Sequence, residues 1–242
     1  MVIKIKVSEM FYSIQGEGPT MGKPCVFLRL QSCNLMCGGQ DTVKDKQLHD
    51  GATWRCDTIE TWLEGKEYQV DDLINELEEL NLMKCKRLII TGGEPTMQMQ
   101  NLILLLDKLP EDIKIEVETN STIKPTDEFN KYIDQYNVSP KLSNSGMPKS
   151  RRYKGEALIW HKENEKSFFK FVVTRKGDME EIFEFFIKPL DLPSNKIYLM
   201  PGAGNREELI KNSQLVAELC KSNYFNFSSR MQLQIWNRAV GV

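Results

Sequence analysis

The sequence predicts an α/β fold in which a parallel sheet closes part of the way into a barrel and helices pack outside it. Segments with the alternating hydrophobicity of strands take turns along the chain with segments whose apolar residues recur at the helical spacing. Such alternation is typical of a parallel sheet covered by helices. About six strand and helix units are recognisable, fewer than the eight of a closed barrel, so we expect an open partial barrel.

The first half of the chain contains distinct strand and helix patterns. Residues 3–7 alternate apolar and charged side chains and residues 26–30 are largely apolar, so both segments are predicted to be strands. Between them, the glycines and prolines of FYSIQGEGPTMGKP, residues 11–24, predict a loop. From residue 70 onward, apolar residues on one face predict a helix. A strand at 87–91, a helix at 97–109 and a strand at 113–119 follow.

The second half repeats this rhythm. Predicted helices cover residues 126–136, 179–188 and 206–222, and predicted strands cover 168–173 and 197–200, with a strand end at 138–141. The segment RMQLQIW, residues 230–236, alternates in hydrophobicity and is predicted to be a final strand.

Composition indicates one domain over residues 1–242, since the length suits one substantial core and no stretch resembles a linker. The formal net charge of −2 gives no overall attraction for nucleic acid or membrane. The longest apolar run, LILLL, is too short to span a bilayer and no signal peptide is recognisable, so we expect a cytoplasmic protein. Six cysteines without secretory context predict reduced thiols, of which Cys25, Cys85 and Cys220 lie in or beside apolar segments and are interpreted as structural.

The other three cysteines bound and occupy a polar loop from Cys33 to Cys56. This loop has no hydrophobic periodicity with which to fold, so a bound metal is the first interpretation and free cysteines are the alternative. Thiolates select zinc or iron–sulfur clusters. Structural zinc would use Cys33, Cys37, His49 and Cys56 as four closed ligands. A cubane cluster with three protein thiolates would instead leave one iron open.

CNLMC at 33–37 and WRCDT at 54–58 resemble the cysteine motif of the radical S-adenosylmethionine (SAM) superfamily, whose usual spacing is C-x3-C-x2-C. The first spacing is kept, but the expected third cysteine position is Gln40. We therefore interpret residues at about 38–53 as an insertion and Cys56 as the displaced third cysteine. The resemblance implies a 4Fe-4S cluster on Cys33, Cys37 and Cys56, in an open parallel β/α barrel of the radical SAM type.

The strand predicted at 87–91 ends in TGGEP, residues 91–95, which alone is equally an ordinary turn. Beside the cysteine motif it resembles the radical SAM segment that holds the methionyl end of SAM, implying contacts from Gly93 and Glu94. Ligands collect where parallel strands end, and Glu118 is predicted in the cofactor pocket from such a position. The resemblance adds further residues to that pocket: Ser139, Pro140, Lys141, Met200 and Pro201.

Across essentially the whole chain, FYSIQGEG, FLRLQSCNL, TGGEP, SPK, FKFVV and the ending RMQLQIWNRAVGV resemble the 7-carboxy-7-deazaguanine synthases. The resemblance implies a pterin substrate that is contacted by Ile14, Gln15 and Gly16 and also bound by Arg29 and Thr91. A guanidinium suits this role because it pairs bidentately with a carboxylate. The alternative for Arg29 is an outward-facing side chain in a surface ion pair.

The resemblance implies two further ligands. The Thr58 hydroxyl becomes a magnesium ligand, although Asp57 or Thr58 could also cap a helix that starts there. The terminal carboxylate of Val242 reaches into the substrate pocket, whereas an ordinary chain end would fray.

The implied reaction is catalysed by a carbon–nitrogen lyase with no protein nucleophile. The reduced cluster cleaves SAM to a 5′-deoxyadenosyl radical, which abstracts hydrogen from 6-carboxy-5,6,7,8-tetrahydropterin. The ring then contracts to 7-carboxy-7-deazaguanine with loss of ammonia, and Mg²⁺ steers the rearrangement. The resemblance also implies an external electron donor such as a flavodoxin, a homodimer, a place in the biosynthesis of queuosine-type 7-deazapurines, and no nucleic-acid or membrane partner.

Two other functions remain open from the residues alone. A radical SAM activase of a partner protein would share the cysteines and TGGEP but would have no need of FYSIQGEG and Arg29. A zinc-binding interaction module would use the four zinc ligands named above. A short basic run at 149–154 could contact RNA, but in an acidic chain we interpret it as a solvated loop.

Overall fold

The computed structural model describes residues 4–237 and 241, in which one sheet curves into an open barrel. Its strands are β1 (Lys4–Ile14), β2 (Pro24–Leu30), β3 (Lys66–Gln69), β4 (Arg87–Gly92), β5 (Lys114–Thr119), β6 (Gln135–Val138), β7 (Ser167–Val173), β8 (Ile197–Pro201) and β9 (Asn226–Phe227). Their order across the sheet is β3-β1-β2-β4-β5-β6-β7-β8-β9. The predicted open α/β barrel is confirmed.

Strands β2 and β4 to β9 all run in one direction, since each pairs in parallel with the next. Strand β1 runs antiparallel to both of its neighbours, β2 and β3. Parallel strands end at one edge of a sheet, and the loops that follow them meet there. This edge therefore holds the cysteine loop after β2 and the glycines that end β4.

The helices connect the strands and cover the outer face of the sheet. They are α1 (Thr42–Asp45), α2 (Ile59–Leu63), α3 (Val70–Glu79), α4 (Leu82–Cys85), α5 (Met99–Leu106), α6 (Asp127–Tyr132), α7 (Lys149–Arg152), α8 (Gly155–Glu163), α9 (Asp178–Ile182), α10 (Lys188–Leu190), α11 (Arg206–Asn223) and α12 (Met231–Trp236). Among the residues described, none of these helices is long and apolar enough to cross a membrane.

Two groups of apolar side chains hold the barrel together. The larger one lies between the sheet and the helices and includes Leu28, Leu77 and Phe171, none of which is accessible to solvent. Burial of each such side chain stabilises the fold by about 1.5–3 kcal/mol. The smaller group, Cys25, Phe27 and Ile89, is a separate cluster with Phe11 packed against it. Apolar contacts thus stabilise the barrel while polar side chains remain for the edge where the strands end.

Two predictions near the ends of the chain are wrong, one about where an element ends and one about its type. The loop predicted from residue 11 begins later, because β1 continues to Ile14 and its Phe11 stacks on Phe27 of β2 at 4.9 Å. The predicted final strand, RMQLQIW, is instead helix α12. Alternation over seven residues did not identify a strand here, because only Leu233 of the helix is buried.

Three predicted helices differ in extent from those observed. The helix predicted at 126–136 ends at Tyr132, since strand β6 starts at Gln135. The helix predicted at 97–109 begins as a 3₁₀ turn, Pro95–Gln98, before α5. The one predicted at 179–188 contains a π-helical turn, Phe183–Ile187, between α9 and α10.

Candidate active site

A cavity of about 950 Å³ opens where the parallel strands end. Its walls include the ends of β4, β5 and β8, the cysteine loop, and helix α12. Most of the predicted site residues line it: Ile14, Gln15, Gly16, Arg29, Cys33, Cys37, Cys56, Thr58, Thr91, Gly93, Glu118, Ser139, Lys141, Met200 and Pro201. The structure therefore brings the predicted cofactor and substrate residues to one enclosure.

Two of the predicted site residues that the structure describes are not among those that line the cavity. Glu94 is fully buried, and Pro140 lies between two lining residues without contributing to the wall. Val242, the predicted terminal carboxylate, lies outside the described residues.

The cysteine loop, residues 33–56, returns to its starting point after the insertion. The backbone N–H of Cys56 donates to the Cys37 carbonyl at 3.1 Å, so the two cysteines are adjacent although 18 residues lie between them in the sequence. Two more bonds hold the insertion against the barrel, from Gly38 N–H to the Ser145 carbonyl and from Thr53 N–H to the Asn144 carbonyl, both at 2.8 Å. The insertion thus leaves and re-enters at one point and delivers Cys56 to the cavity.

Two thiols of this loop, those of Cys33 and Cys37, are largely removed from solvent and neutral. Burial raises the pKa of Cys33 and of Cys37 to about 12. A buried thiol becomes a thiolate when a metal binds it, with release of a proton. The loop therefore presents soft donors whose charge depends on a bound cation.

These donors fit a three-cysteine cluster better than a single ion. Within residues 4–237 and 241, no group of three His, Cys, Asp or Glu side chains is arranged to hold a metal ion. A single zinc ion requires all ligands within about 2.3 Å of one centre, whereas the thiolates of a cubane bind different irons and lie farther apart. Cys33, Cys37 and Cys56 line one cavity, and negative charge on Cys33 and Cys56 would raise the pKa of Cys37, so the three cysteines fit the second arrangement.

His49, the fourth ligand of the zinc alternative, points elsewhere. Its Nε2 lies 2.9 Å from the Asp45 carboxylate, and the hydrogen bond that the imidazole donates to this carboxylate raises the pKa of His49. His49 is not among the residues that line the cavity. The structure therefore does not bring it to the cysteines.

The two glycines that end β4 are required by close backbone packing. Gly92 has a positive φ of 131°, which side chains of L-residues rarely adopt. A Cβ on Gly93 would lie 1.7 Å from the Ser32 carbonyl oxygen and 2.7 Å from the Cys33 nitrogen. Gly93 thus lets β4 approach the start of the cysteine loop and places the two motifs side by side.

Glu94 and Glu118 end neighbouring strands but have different surroundings. Glu94 accepts hydrogen bonds from Thr96 N–H at 3.1 Å, Thr119 Oγ at 2.8 Å and Asn120 N–H at 2.7 Å. Burial raises the pKa of Glu94, an effect that these bonds partly offset. Its carboxylate connects the ends of β4 and β5, and its oxygens accept their hydrogen bonds from groups of the protein.

Glu118 faces the cavity between two residues of the predicted substrate group. Its Oε2 accepts a hydrogen bond from Thr91 Oγ at 2.7 Å, and its Oε1 accepts one from Gln15 Nε2 at 3.4 Å. The sequence placed Glu118 in the cofactor pocket, whereas its observed hydrogen-bond partners are predicted substrate residues.

Arg29 lines the cavity and also forms an ion pair. Its Nε donates to Glu9 Oε1 at 2.7 Å, and its side chain is 13% exposed. Arg29 therefore forms an ion pair, as in the alternative interpretation, but the pair lies in the cavity wall and the side chain does not face outward.

The remaining predicted residues occupy the ends of later strands. Lys141 Nζ donates to Ser139 Oγ at 2.9 Å and lies 5.7 Å from the centre of the Trp54 ring. Thr58 occupies the N-cap position of α2, but its side chain makes no capping bond and its Oγ lies 3.4 Å from Cys56 Sγ. The Thr58 hydroxyl therefore remains on the cavity side of the helix.

Sequence reasoning missed a group of charged residues in the cavity wall, Glu17, Asp57, Lys170 and Arg230. Burial alone would raise the pKa of Glu17, but Lys170 and Arg230 hold it well below its usual range. Glu17 lies in FYSIQGEG and Lys170 in FKFVV, so both belong to segments that carry the family resemblance. Pairing between residues so far apart in sequence left no local signal.

The C-terminal strap, residues 228–237, carries Arg230 and crosses back to the start of the chain. Met231 N–H donates to the Gly16 carbonyl at 2.9 Å, and Gln232 Nε2 donates to Glu17 Oε1 at 2.8 Å. A Cβ on Gly16 would lie 2.0 Å from Gln232 Oε1 and 3.2 Å from the Gln232 backbone nitrogen, so a side chain there would displace the Gln232 side chain and crowd the strap. The strap thus connects the last strand of the open barrel to the end of β1.

Comparison with known proteins assigns the chain to a family, although no family model matches it. The 7-carboxy-7-deazaguanine synthase of Pyrobaculum aerophilum is 31% identical over 241 residues, which are 98% of this chain and 97% of the relative. The 7-carboxy-7-deazaguanine synthase of Hyperthermus butylicus is 30% identical over 238 residues, 96% of this chain and 92% of the relative. The crystal structure of QueE from Escherichia coli has the same fold, with a TM-score of 0.65 and 24% identity over 94% of each chain. Since the similarity to these relatives extends over nearly the whole length of both chains, this chain belongs to the 7-carboxy-7-deazaguanine synthase family.

Proposed function

We propose that this chain is a radical SAM lyase that converts 6-carboxy-5,6,7,8-tetrahydropterin to 7-carboxy-7-deazaguanine with loss of ammonia. The observation that carries this proposal is the shared cavity, which is lined by three cysteines of the cluster motif together with the residues expected to bind a pterin. Membership of the family supplies the identity of the substrate and of the cofactors, SAM and a 4Fe-4S cluster. An activase of a partner protein would not need the second group of residues.

Cys33, Cys37 and Cys56 would hold the cluster, and the residues at the ends of β4, β6 and β8 would hold SAM. When bound, these cofactors supply a carbon radical that removes a hydrogen atom from the substrate. Gly93, Ser139 and Lys141 line the cavity, and their backbone and side-chain polar groups would bind SAM there. The protein's own contribution is to orient both molecules in one cavity.

The substrate group of residues offers complementary polar contacts for a pterin carboxylate and ring. Arg29 can pair with the carboxylate, since only its Nε is engaged with Glu9. Glu118, held by Thr91 and Gln15, presents acceptor oxygens to the N–H groups of a pterin ring. We therefore place Glu118 with the substrate residues Ile14, Gln15, Gly16, Arg29 and Thr91.

Mg²⁺ is part of this proposal, with the Thr58 hydroxyl as its ligand from the protein. The Thr58 hydroxyl makes no capping bond and lies 3.4 Å from Cys56 Sγ, so its oxygen beside the cluster loop suits a hard cation that also binds a substrate carboxylate. Thr58→Ala should raise the Mg²⁺ concentration for half-maximal activity by about tenfold. Thr61→Ala, on the same helix but outside the cavity wall, is the control. Equal Mg²⁺ dependence in both variants would refute the assignment.

We also infer an external low-potential electron donor, such as a flavodoxin, and a homodimer. Turnover with a reduced flavodoxin in place of dithionite tests the first inference. Sedimentation equilibrium tests the second, and a single species of 28.0 kDa would contradict it.

The decisive experiment is anaerobic reconstitution with iron and sulfide, followed by incubation with SAM, dithionite, Mg²⁺ and 6-carboxy-5,6,7,8-tetrahydropterin. Mass spectrometry should detect 7-carboxy-7-deazaguanine. Cleavage of SAM without consumption of the pterin would refute the substrate assignment. Failure to assemble a cluster would refute the radical SAM assignment.

A further inference from the structure

Four charged side chains of alternating sign form a continuous chain along one wall of the cavity. Lys170 on β7 pairs with Glu17, and Glu17 Oε1 accepts a hydrogen bond from Arg230 Nε at 3.1 Å. Arg230 Nη2 then pairs with Asp57. We refer to Lys170, Glu17, Arg230 and Asp57 as the charge chain.

Arg230 is the member that contacts three separate segments. In addition to its bonds with Glu17 and Asp57, its Nη1 donates to the Ala203 carbonyl in the loop after β8. A guanidinium is planar and its N–H groups point in fixed directions. The three acceptors are therefore held at fixed positions relative to one another. The side chain of Arg230 is only 10% exposed, so water competes little for these bonds.

The two carboxylates of the charge chain, Glu17 and Asp57, belong to the substrate motif and to the cluster motif. Glu17 directly follows Gly16 in the substrate motif, and Asp57 lies between Cys56 and Thr58 at the end of the cluster motif. Arg230 is the link through which the substrate motif and the cluster motif are joined by a side chain of the C-terminal strap.

We infer that Arg230 is a positioning residue that fixes the separation between the substrate motif and the cluster motif. This inference rests on the proposed function, in which SAM lies by one motif and the pterin by the other. Reacting atoms need to be about 3–3.5 Å apart, and a displacement of about 1 Å can cost about 100-fold in rate. With Arg230 in place, each cleavage of SAM is followed by hydrogen abstraction from the substrate. Without it, SAM is cleaved while the pterin is out of reach.

Arg206 provides a matched control for simple anchoring of helix α12. Its Nη2 donates to the Ile235 carbonyl at 2.9 Å and its Nε to the Leu233 carbonyl at 3.4 Å. These bonds hold the same helix but go to neither carboxylate of the charge chain. A variant of Arg206 should therefore loosen α12 without changing the separation of the two motifs.

Replacement of Arg230 by Met should leave the protein folded. Glu17 keeps its bonds to Lys170 and Gln232, and Asp57, whose side chain is 49% exposed, can be hydrated. Methionine has a similar length and occupies the same partly apolar space. Protection of strand β4 against hydrogen exchange checks that the core is intact.

The first experiment measures hydrogen exchange in the cluster-free proteins. Arg230→Met should speed exchange at residues 14–18 and 53–58 by about tenfold or more, because a charge-assisted tie to each segment is lost. Arg206→Met should speed exchange within α12 and leave both motifs as in the wild type. Unchanged exchange at both motifs in Arg230→Met overturns the inference, and so does equal loosening of them in Arg206→Met.

The second experiment measures how many SAM molecules are cleaved for each product formed. The ratio of 5′-deoxyadenosine to 7-carboxy-7-deazaguanine should rise by about tenfold or more in Arg230→Met and stay constant in Arg206→Met. A lower fraction of folded or cluster-loaded protein reduces both products together and cannot move this ratio. An unchanged ratio in Arg230→Met overturns the inference.

Asp57→Asn tests the path from Arg230 to the cluster motif, and as a partly exposed substitution it keeps the core intact. The ratio should rise in this variant, and exchange should speed up at 53–58 but not at 14–18. The double variant Arg230→Met with Asp57→Asn should raise the ratio of 5′-deoxyadenosine to product no further than Arg230→Met alone, because both substitutions break the same contact. Additive effects on the logarithm of the ratio overturn the path through Asp57.

Failure of the proposed function would be recognised separately. If the wild type forms no 7-carboxy-7-deazaguanine, the function is refuted, whereas the exchange experiment on cluster-free protein still reports whether Arg230 ties the two motifs together.

Discussion

The cysteine loop and the C-terminal strap line the same cavity but are held by different interactions. Backbone bonds close the loop, such as that from Cys56 N–H to the Cys37 carbonyl, and burial keeps the thiols of Cys33 and Cys37 neutral. The strap is instead held by charged groups, with Arg230 between Glu17 and Asp57. The strap pairs the charge of Arg230 within the protein, whereas the loop presents donors for a cation. Removal of a metal should therefore loosen the loop much more than the strap.

Cys56→Ala should have the largest effect, because it removes a cluster ligand and, with it, the chemistry that no side chain can replace. We expect cluster content to fall and product formation to drop to background. Cys85→Ala is the control, since Cys85 is a free cysteine outside the cavity wall. Iron and sulfide analysis with the product assay makes the measurement. A Cys56→Ala protein with a full cluster and normal activity would show that the displaced third ligand was wrongly assigned.

Glu118→Gln should have the next largest effect and sharpens the division of the cavity into substrate and cofactor parts. The substitution removes one acceptor oxygen from the position held by Thr91 and Gln15. The KM for the pterin should rise by about 10- to 100-fold, as expected when a buried polar partner is lost. The KM for SAM should stay within about twofold of the wild-type value. A rise in the KM for SAM alone would return Glu118 to the cofactor pocket.

Glu94→Gln is expected to act on stability, because Glu94 connects β4 and β5 and does not line the cavity. The amide would present N–H groups to at least one existing donor, at a cost of about 2 kcal/mol in the free energy of unfolding. Burial raises the pKa of Glu94 above 4.5, so the folded protein retains a proton that the unfolded chain releases above that pH. Wild-type stability should therefore fall as the pH rises from 4.5 through the raised pKa, and this decline should be absent in the variant.

Urea denaturation of both proteins at several pH values measures this difference. The gap between wild type and Glu94→Gln should narrow as the pH rises, because only the wild type loses stability from this group. A gap that widens with pH would mean that the Glu94 carboxylate is stabilised in its ionised form by Thr119 and Asn120.

Sequence reasoning identified the features whose chemistry is local. The cysteines and the TGGEP turn each depend on neighbouring residues, and both lie at the predicted edge of the sheet. The charge chain could not be predicted in this way, because Arg230 and Glu17 are 213 residues apart in the sequence. They lie next to each other only because the strap crosses from the last strand of the barrel to the end of β1. Glu118 shows an intermediate case, since its strand end was predicted but its partners were not.

The role of Gly93 also needed the structure. The sequence favoured a glycine that lets a ligand approach the backbone, and Gly93 does line the cavity. The structure adds that the backbone of Ser32 and Cys33 occupies the space that a side chain on Gly93 would need. A glycine motif therefore positions the cysteine loop itself, which the spacing of residues along the chain could not reveal.

His49→Ala should have the smallest effect and tests whether the cysteine loop is a zinc site. His49 bonds to Asp45 on the insertion, away from the cavity wall, so its loss should leave cluster content and activity within about twofold of the wild type. If zinc were the natural metal, the imidazole would be one of four ligands and its removal would greatly weaken zinc binding. Metal analysis of protein purified without added iron separates these outcomes. If His49→Ala loses as much bound zinc as Cys56→Ala, then His49 and the cysteines form one closed zinc site. The contrast between loop and strap would then concern their structure alone and not the binding of a cluster.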